Sequence, residues 1–211
     1  MKADIHIHSI YSNDGKLTVE EIIKIMEKKG YDLIAITDHN SFKAHRKTYD
    51  TKLKIIKGIE VSSCCGHILA LNVSGEIKKG LSIDETIEMI HDLGGIAIAA
   101  HPYRFWSGLG PENTRKHSFD AIEILNGRSF EKDNIKSKIL AEELNKPVSA
   151  GSDAHLEHEF GRVWIDFESD IVDDIIKRKV RIYGSSRDAS STLKYVYRSV
   201  SLWIKRGFKR I

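Results

Sequence analysis

Residues 3–39, ADIHIHSIYSNDGKLTVEEIIKIMEKKGYDLIAITDH, contain a strand, a helix and a second strand in that order. Apolar and polar side chains alternate over residues 3–8, as in a strand with one buried face. The next segment, residues 18–29, places apolar residues at helical spacing, namely Val19, Ile22, Ile23 and Met26. Thr18 and Glu21 form the capping-box pattern that marks the start of this helix. Residues 33–37 (LIAIT) are an apolar run typical of a buried strand, so the stretch predicts a strand–helix–strand unit.

The same alternation continues along the chain. Further strands are predicted at residues 54–60, 67–73, 96–100, 121–125, 147–150, 163–167 and 180–183. Further helices are predicted at about residues 82–93, 131–144, 169–178 and 190–205. Ser82 and Glu85 form another capping-box pattern, at the start of the helix over residues 82–93. This pattern favours an α/β fold with a mainly parallel sheet. Seven or eight units in 211 residues predict a small, compressed barrel, with an open doubly wound sheet as the alternative.

Composition limits the class of protein. Hydrophobic residues make up 41% and charged residues 30% of the chain, which is typical of a globular domain. No linker-like segment interrupts residues 1–211, so we expect a single domain. The net charge of +3 is too small to predict a nucleic-acid or membrane partner by itself. No run of 18 apolar residues occurs, and we expect neither a transmembrane helix nor a signal peptide.

The only two cysteines, Cys64 and Cys65, are adjacent in the sequence. Neighbouring cysteines rarely close a disulfide, because the required geometry strains the peptide between them. A disulfide framework is therefore excluded, which suits a reducing compartment, and we expect a cytoplasmic protein. We interpret both side chains as small packed residues rather than metal ligands.

Histidines and carboxylates collect where the predicted strands end. The residues at or just after these ends are His6, His8, Asp38, His39, Glu60, His67, His101, Asp153 and His155. Active sites of barrels and of open α/β sheets are built at the carboxyl ends of the strands. Any one of these residues alone is adequately explained as a hydrogen-bonding loop residue. The whole set is not, and it predicts a metal site.

The residue types indicate which metals bind. Imidazoles and carboxylates without a thiolate suit zinc, manganese or iron, and Mg²⁺ is a further candidate at oxygen-rich positions. His6 and His8 are two residues apart on one strand, so both imidazoles point to the same face. Nine candidates exceed what one ion can use alongside water. Two or three divalent ions are therefore expected, with Glu60 as the natural bridging carboxylate.

Six segments in this order resemble a known family. They are HIHSIYSNDG (6–15), AITDHN (35–40), GIEVS (58–62), GHILAL (66–71), AHPYR (99–104) and GSDAH (151–155). Together they are similar to the four-part signature of the polymerase and histidinol phosphatase (PHP) family, and residues 161–167 resemble the family strand after the last motif. The resemblance implies a distorted seven-stranded (β/α)7 TIM-like barrel with two or three metal ions.

The resemblance also implies a division of the ligands into three sets. The first set is His6, His8, Glu60 and Asp153; the second is Glu60, His67 and His101; the third is Asp14, His39 and His155. Many relatives carry a histidine where Asp14 stands, and others carry SDG, which NDG approximates. Asp38 is expected to orient His39 rather than to bind metal.

The function implied by the resemblance is that of a metal-dependent phosphoesterase. We expect a small phosphate ester, of nucleotide or sugar phosphate type, to be hydrolysed by hydroxide that the metal ions activate. The residues expected to take part in catalysis are His6, His8, Glu60, His101, Asp153 and His155. A histidinol-phosphate phosphatase and an exonuclease acting on nucleic-acid ends are the enzymatic alternatives. A PHP-like scaffold or RNA-protein subunit is the non-enzymatic one, and it predicts eroded ligands, whereas all nine family ligand positions here hold competent side chains.

Residues outside the motifs carry weaker signals. Arg104 and Arg162 are candidates to clamp the substrate phosphate, with a surface salt bridge as the alternative for each. His45, His91 and His117 match no motif and are interpreted as surface residues, and His158 and Lys132 as solvated ones.

The end of the sequence allows two interpretations. Six basic residues between 194 and 211 are interleaved with aromatic ones, a pattern that also occurs in proteins that bind single-stranded nucleic acid. An apolar stripe competes with this interpretation: Leu193, Val196, Val200 and Ile204. We favour a C-terminal helix over residues 190–205 packed on the barrel, followed by a solvated basic tail. The expected partner is therefore a small-molecule phosphate ester, nucleic acid is the less favoured one, and the sequence leaves the oligomeric state open.

Overall fold

The computed structural model describes residues 1–187, which form nine strands and five α-helices. The strands are β1 (Lys2–Ile7), β2 (Leu33–Ile36), β3 (Lys54–Ser63), β4 (Gly66–Leu71), β5 (Ile96–Ala99), β6 (Ala121–Asn126), β7 (Val148–Gly151), β8 (Val163–Asp166) and β9 (Arg181–Gly184). The helices are α1 (Val19–Lys28), α2 (Ile83–Asp92), α3 (Pro111–Lys116), α4 (Glu131–Glu143) and α5 (Ile171–Ile176). The predicted elements within this range are confirmed to within a few residues, and α3 is an addition that the sequence pattern did not indicate.

All nine strands belong to one sheet, in the order β7-β6-β5-β4-β3-β2-β1-β8-β9. The pairs within β1-β2-β3 and within β5-β6-β7 are parallel. Strand β4 is antiparallel to both neighbours, and β8 is antiparallel to β1 and to β9. The expectation of a mainly parallel sheet is therefore wrong. Only a two-residue turn joins β3 to β4, so these strands form a hairpin, whereas a parallel pair needs a crossover connection.

Strand β1 changes its partner along its length, and this nearly closes the sheet into a barrel. Its first residues pair with β8, at Lys2 opposite Asp166. Its last residues bond to the segment that follows β7: Asp153 N donates to His6 O at 2.7 Å, and His8 N donates to Ala154 O at 2.9 Å. The predicted α/β barrel is thus confirmed over the open doubly wound sheet.

Three apolar clusters stabilise this arrangement. One draws residues from β1 through β8, including Ile5, Leu33 and Leu69, and fills the interior of the barrel. A second packs α2 and α4 on the outside of β3–β6, and a third packs α1 on β1 and β2. Burial of apolar side chains stabilises the fold by roughly 25 cal/mol per Å² removed from water. The three clusters thus pack the strands against one another and against α1, α2 and α4.

The predicted helix starts are confirmed. Thr18 accepts a hydrogen bond from Glu21 N, and the Glu21 carboxylate accepts one from Thr18 N. Ser82 and Glu85 make the same reciprocal pair at the start of α2. Each pair satisfies two backbone donors that a helix start leaves open.

Other predictions fall on the surface or outside the described range. Cys64 and Cys65 are exposed at the β3–β4 turn, so the prediction that they are packed is wrong. The predicted helix over residues 190–205 and the basic tail lie outside the described residues. Within residues 1–187, the helices are too short or too polar to cross a membrane.

Candidate metal centre

The nine side chains that the family resemblance singled out as ligands converge at one end of the barrel. His6 comes from β1, Glu60 from β3 and His67 from β4, while the others lie on the segments that follow β1, β2, β5 and β7. Seven of the nine residues are buried, and His39 and Asp14 are only partly buried. The sequence prediction that these residues meet is therefore matched by the geometry.

The first group combines two imidazoles with two carboxylates. His8 Nε2 lies 3.2 Å from Glu60 Oε2 and 3.3 Å from Asp153 Oδ1. His6 Nε2 lies 3.4 Å and 3.8 Å from the same two oxygens. One ligand atom from each of the four residues lies within 4.8 Å of the other three, which is compact enough to surround one ion.

Glu60 is the centre of the cluster. Its Oε1 lies 2.8 Å from His67 Nδ1 and 2.7 Å from His101 Nε2. Its Oε2 faces His6 and His8, and lies 3.1 Å from His39 Nδ1. A carboxylate with five imidazoles around its two oxygens has the position that a bridging ligand requires.

The third predicted set also comes together, with a different boundary. His155 Nε2 lies 3.2 Å from Asp14 Oδ1, and His39 Nε2 lies 3.8 Å from the same oxygen. His39 also forms a compact group with Glu60 and His67, and another with His8 and His155. His39 therefore lies between the second and third sets, whereas the prediction placed it only in the third.

Unsatisfied buried atoms show what the cluster can bind. Seven of its polar atoms are buried without a hydrogen-bond partner: His6 Nε2, His8 Nε2, Asp14 Oδ1, His39 Nδ1, Glu60 Oε2, His101 Nδ1 and His155 Nε2. Buried polar atoms are normally paired, because an unpaired one costs about 1–3 kcal/mol. Imidazole nitrogens and carboxylate oxygens that converge without partners fit divalent cations.

The carboxylates of the cluster are held ionised. Burial alone would raise the pKa of Glu60, but His67, His39 and His6 lower it well below its ordinary value. Burial likewise opposes ionisation of Asp153, and the Arg104 guanidinium with His6 lowers its pKa well below the ordinary range. Negative charge is thus kept where a cation would be bound.

The histidines of the cluster differ in whether their pKa is lowered or raised. Burial lowers the pKa of His101 to about 4, with Arg104 adding to the effect, and burial with Arg128 also lowers that of His155. These imidazoles are neutral near pH 7 and can act as ligands as they stand. Burial opposes protonation of His8 as well, but Asp153 and Glu60 raise its pKa to about 9. His8 must therefore release a proton when its Nε2 binds a metal.

Two hydrogen-bond partners determine which ring nitrogen His6 and His8 present to the cluster. His6 Nδ1 donates to Glu123 Oε1 at 2.8 Å, which leaves Nε2 aimed at Glu60 and Asp153. His8 Nδ1 lies 2.9 Å from Ser12 Oγ. A hydrogen-bond acceptor on one ring nitrogen sets the tautomer that binds metal through the other.

Asp38 acts on His39 through an intermediate residue. Its carboxylate accepts hydrogen bonds from Ser9 N and Oγ, at 2.6 and 2.7 Å, and from Ser12 Oγ at 3.0 Å. The expected influence of Asp38 on His39 runs through Ser12 rather than through a direct hydrogen bond. Asp38 holds the Ser12 hydroxyl, which then accepts from His39 N and faces His8 Nδ1.

Glu123 is the functional residue that the sequence reasoning missed. It is fully buried on β6, and its Oε2 accepts from His101 N at 2.9 Å and from Asn126 Nδ2 at 3.1 Å. A charged residue inside the apolar run AIEIL was the available signal. Asn126, at the end of the same strand, also donates to Asp153 Oδ2 at 3.3 Å. Glu123 thus holds ligand candidates from two strands.

The two arginines predicted to bind phosphate have protein partners. Arg104 Nη2 lies 2.7 Å from Asp153 Oδ2 and also donates to Asn126 Oδ1. Asp153 is buried, so this ion pair is not a surface salt bridge, which was the alternative role predicted for Arg104. Arg162 donates to Gly127 O at 3.4 Å. Arg128, which the sequence analysis did not single out, also contacts a ligand candidate, with Nη1 2.7 Å from His155 Nδ1.

The backbone is strained at two ligand candidates. His101 and Asp153 adopt φ angles of 29° and 53°, in the left-handed region that residues with a Cβ seldom enter. Such conformations cost of order 1–3 kcal/mol each and persist where the surroundings impose them.

At Gly151, an added Cβ would lie 2.2 Å from His6 Cβ, so only glycine lets β7 approach β1 this closely.

The other predicted surface histidines differ among themselves. His91 is exposed and bonds Asp120, and His158 and Lys132 are exposed as predicted. His45 is half-buried, because its ring bonds the backbone of β2 at Ile36 and of β3 at Gly58. His117 is also half-buried and pairs with Asp84, with 13% of its side chain exposed. The surface interpretation is therefore wrong for His45 and His117.

Comparison with known proteins gives the cluster a context. The family model of the PHP domain matches residues 4–187. "Uncharacterized protein MJ1587" of Methanocaldococcus jannaschii is 37% identical over 163 residues, covering 70% of this chain and 92% of that protein.

Solved structures show the same fold at lower identity. A two-domain protein of Bacteroides vulgatus, described as containing a predicted PHP-like metal-dependent phosphoesterase, has a TM-score of 0.65 at 18% identity; 87% of this chain matches 64% of that one. Endonuclease Q, in complex with a 27-mer duplex bearing an abasic lesion, has a TM-score of 0.64 at 19% identity; 83% of this chain matches 55% of that one. This chain thus spans under two thirds of both solved chains.

Proposed function

The chain belongs to the PHP domain family, and we propose that it is a phosphatase that hydrolyses a small phosphate ester, of nucleotide or sugar phosphate type, with the help of two or three divalent ions. One observation carries the proposal: seven nitrogen and oxygen atoms of the cluster are buried without a hydrogen-bond partner. Manganese, zinc and iron suit this mixture of imidazoles and carboxylates, and magnesium is a further candidate.

The residues of this chain would share the work in three groups. His6, His8, Glu60 and Asp153 would hold the first ion. Glu60, His67 and His101 would hold the second, and Asp14, His39 and His155 a third. Divalent ions in such sites lower the pKa of bound water to about 7 and neutralise phosphoryl oxygens.

The surrounding residues would position the ligands. Glu123 and Ser12 fix the tautomers of His6 and His8, and Arg104 keeps Asp153 ionised and in place. Because Asp14 and His39 are only partly buried, the ester would approach the centre past them. The deep burial of the other ligand candidates would strengthen the attraction between the cations and the phosphoryl oxygens, because charges interact more strongly away from bulk water.

The completeness of the cluster supports an enzyme over a scaffold. A non-catalytic module is free to lose ligands, whereas each of the nine positions here holds a competent side chain. The likeness to endonuclease Q is at 19% identity and concerns the fold, so its duplex substrate remains a property of that protein. We favour a small ester for this chain, in a cytoplasmic setting.

The test is a phosphatase screen on metal-reconstituted protein. Wild type loaded with Mn²⁺, Zn²⁺ or Fe²⁺ is assayed against a panel of nucleotides, sugar phosphates and other phosphomonoesters. Glu60→Gln should abolish activity, whereas Glu76→Gln, which alters an exposed ion pair with Arg46, should leave it unchanged. Absence of hydrolysis of every ester by metal-loaded wild type would refute the proposal.

A further inference from the structure

The loop that follows His101 is bonded to two of the ligand candidates. We call residues 102–109 the rim loop. It is compact, because Arg104 N donates to His101 O, and Gly108 N to Arg104 O, both at 2.9 Å. At Gly108, an added Cβ would lie within 2.8 Å of three carbonyl oxygens of the loop. The rim loop is therefore held in one tight conformation by its own backbone.

Both sides of the rim loop are tied to ligand candidates. The Arg104 side chain lies 2.7 Å from Asp153 Oδ2. On the other side, Ser107 O accepts a hydrogen bond from His67 N at 2.9 Å. Consecutive Cα atoms are about 3.8 Å apart, so residues 105 and 106 cannot lie far from either anchor.

These two positions carry large aromatic rings. Phe105 is 84% exposed and Trp106 is 63% exposed, the two highest values among the large hydrophobic residues in the described part of the chain. Their ring centroids are 4.8 Å apart at an angle of 83°, an edge-to-face pair. Exposed apolar surface next to polar residues marks ligand-binding sites more often than single exposed side chains do.

We propose that Phe105 and Trp106 form a stacking platform for a flat aromatic group, of nucleobase type, on the ester whose phosphate binds at the metal centre. The inference rests on the proposed function and narrows its substrate from phosphate esters in general to nucleoside phosphates. Both rings lie on a loop that is bonded to Asp153 and His67, and a base can stack on an aromatic ring without specific hydrogen bonds. A simple sugar phosphate has no aromatic ring to place there.

The experiment compares two esters that differ by the base. Adenosine 5′-monophosphate and ribose 5-phosphate are hydrolysed by metal-loaded wild type, by Phe105→Ala and Trp106→Ala, and by Ile135→Ala as a matched loss of exposed apolar surface on α4. For each aromatic variant, KM for the nucleotide should rise about 5- to 150-fold, with little change for ribose 5-phosphate. Ile135→Ala should behave as wild type.

Three results would overturn the platform: unchanged nucleotide kinetics in both aromatic variants, equal losses for both esters, or wild type that does not favour the nucleotide. A binding measurement separates this failure from that of the proposed function. Adenosine 5′-monophosphate should quench tryptophan fluorescence in wild type, and Trp106→Phe should lose that change. Quenching without hydrolysis of any ester would support the platform and refute the phosphatase activity. Hydrolysis without quenching would support the phosphatase activity and refute the platform.

Discussion

The role of Glu123 can be tested by a change of one atom, the substitution Glu123→Gln. The carboxylate accepts hydrogen bonds on both oxygens, from His6 Nδ1 on one and from His101 N and Asn126 Nδ2 on the other. A glutamine offers one oxygen and one NH₂ group. If the oxygen faces His101, the NH₂ group faces His6 Nδ1 and forces the proton onto Nε2, the atom that would bind metal.

The other orientation is no better. With the glutamine oxygen on His6, its NH₂ group meets the backbone N–H of His101, and two buried donors oppose each other. A buried donor without an acceptor costs about 1–3 kcal/mol. Loss of such a hydrogen-bonded partner behind a metal ligand typically weakens metal affinity about 10- to 100-fold, or about 1.4–2.7 kcal/mol. We expect the loss of metal affinity in Glu123→Gln to lie in this range.

The assay is a competition of the protein with a fluorescent chelator for Zn²⁺ or Mn²⁺. Glu143→Gln, which weakens an exposed ion pair with Arg115, is the control and should bind metal as wild type does. The reasoning would be refuted if Glu123→Gln folded normally and bound metal within twofold of wild type. In that case the hydrogen bond to His6 would not determine its tautomer.

Three further predictions follow from the cluster and its surroundings. Glu60→Gln should reduce metal content more than Asp14→Asn, since Glu60 faces five imidazoles; equal, mild losses in elemental analysis would contradict this. Arg104→Lys should weaken metal retention about tenfold, because an ammonium cannot span Asp153 and Asn126, and a change in KM alone would contradict that role. Burial raises the pKa of Asp4 from 3.8 to about 7, so this carboxyl favours folding at low pH and its contribution is lost as the pH rises through 7. The free energy of unfolding of Asp4→Asn, measured by urea denaturation, should therefore rise relative to that of wild type between pH 5 and pH 8. A fall over this range would exclude titration of the Asp4 carboxyl as a cause of pH-dependent stability.

The ligand candidates were predictable because each signal is local. A histidine or carboxylate at the end of a strand stands out in the sequence, and the carboxyl ends of barrel strands meet in space. The barrel followed from the same strand–helix alternation. The hairpin of β3 and β4 did not, because a strand pattern carries no information on the direction of its partner.

The supporting residues were harder to predict because their roles depend on distant partners. Glu123 is 117 residues from His6 in the sequence, and only the fold shows that they touch. Asp38 stands beside His39, which suggested a contact that its side chain makes with Ser9 and Ser12 instead. The polar residues Asn126 and Arg128 were a usable signal, since they lie at and just after the carboxyl end of β6.

Metal stoichiometry tests the central claim most directly. Wild-type protein would be reconstituted with Mn²⁺, Zn²⁺ or Fe²⁺, freed of loosely bound ions, and measured by elemental analysis against protein concentration. We predict two or three ions per chain, because seven of the nine ligand candidates form three compact groups, and any two of these groups share one residue, His8, Glu60 or His39. Protein that keeps no metal after reconstitution would contradict the account, and a single tightly held ion would contradict the bridging role of Glu60.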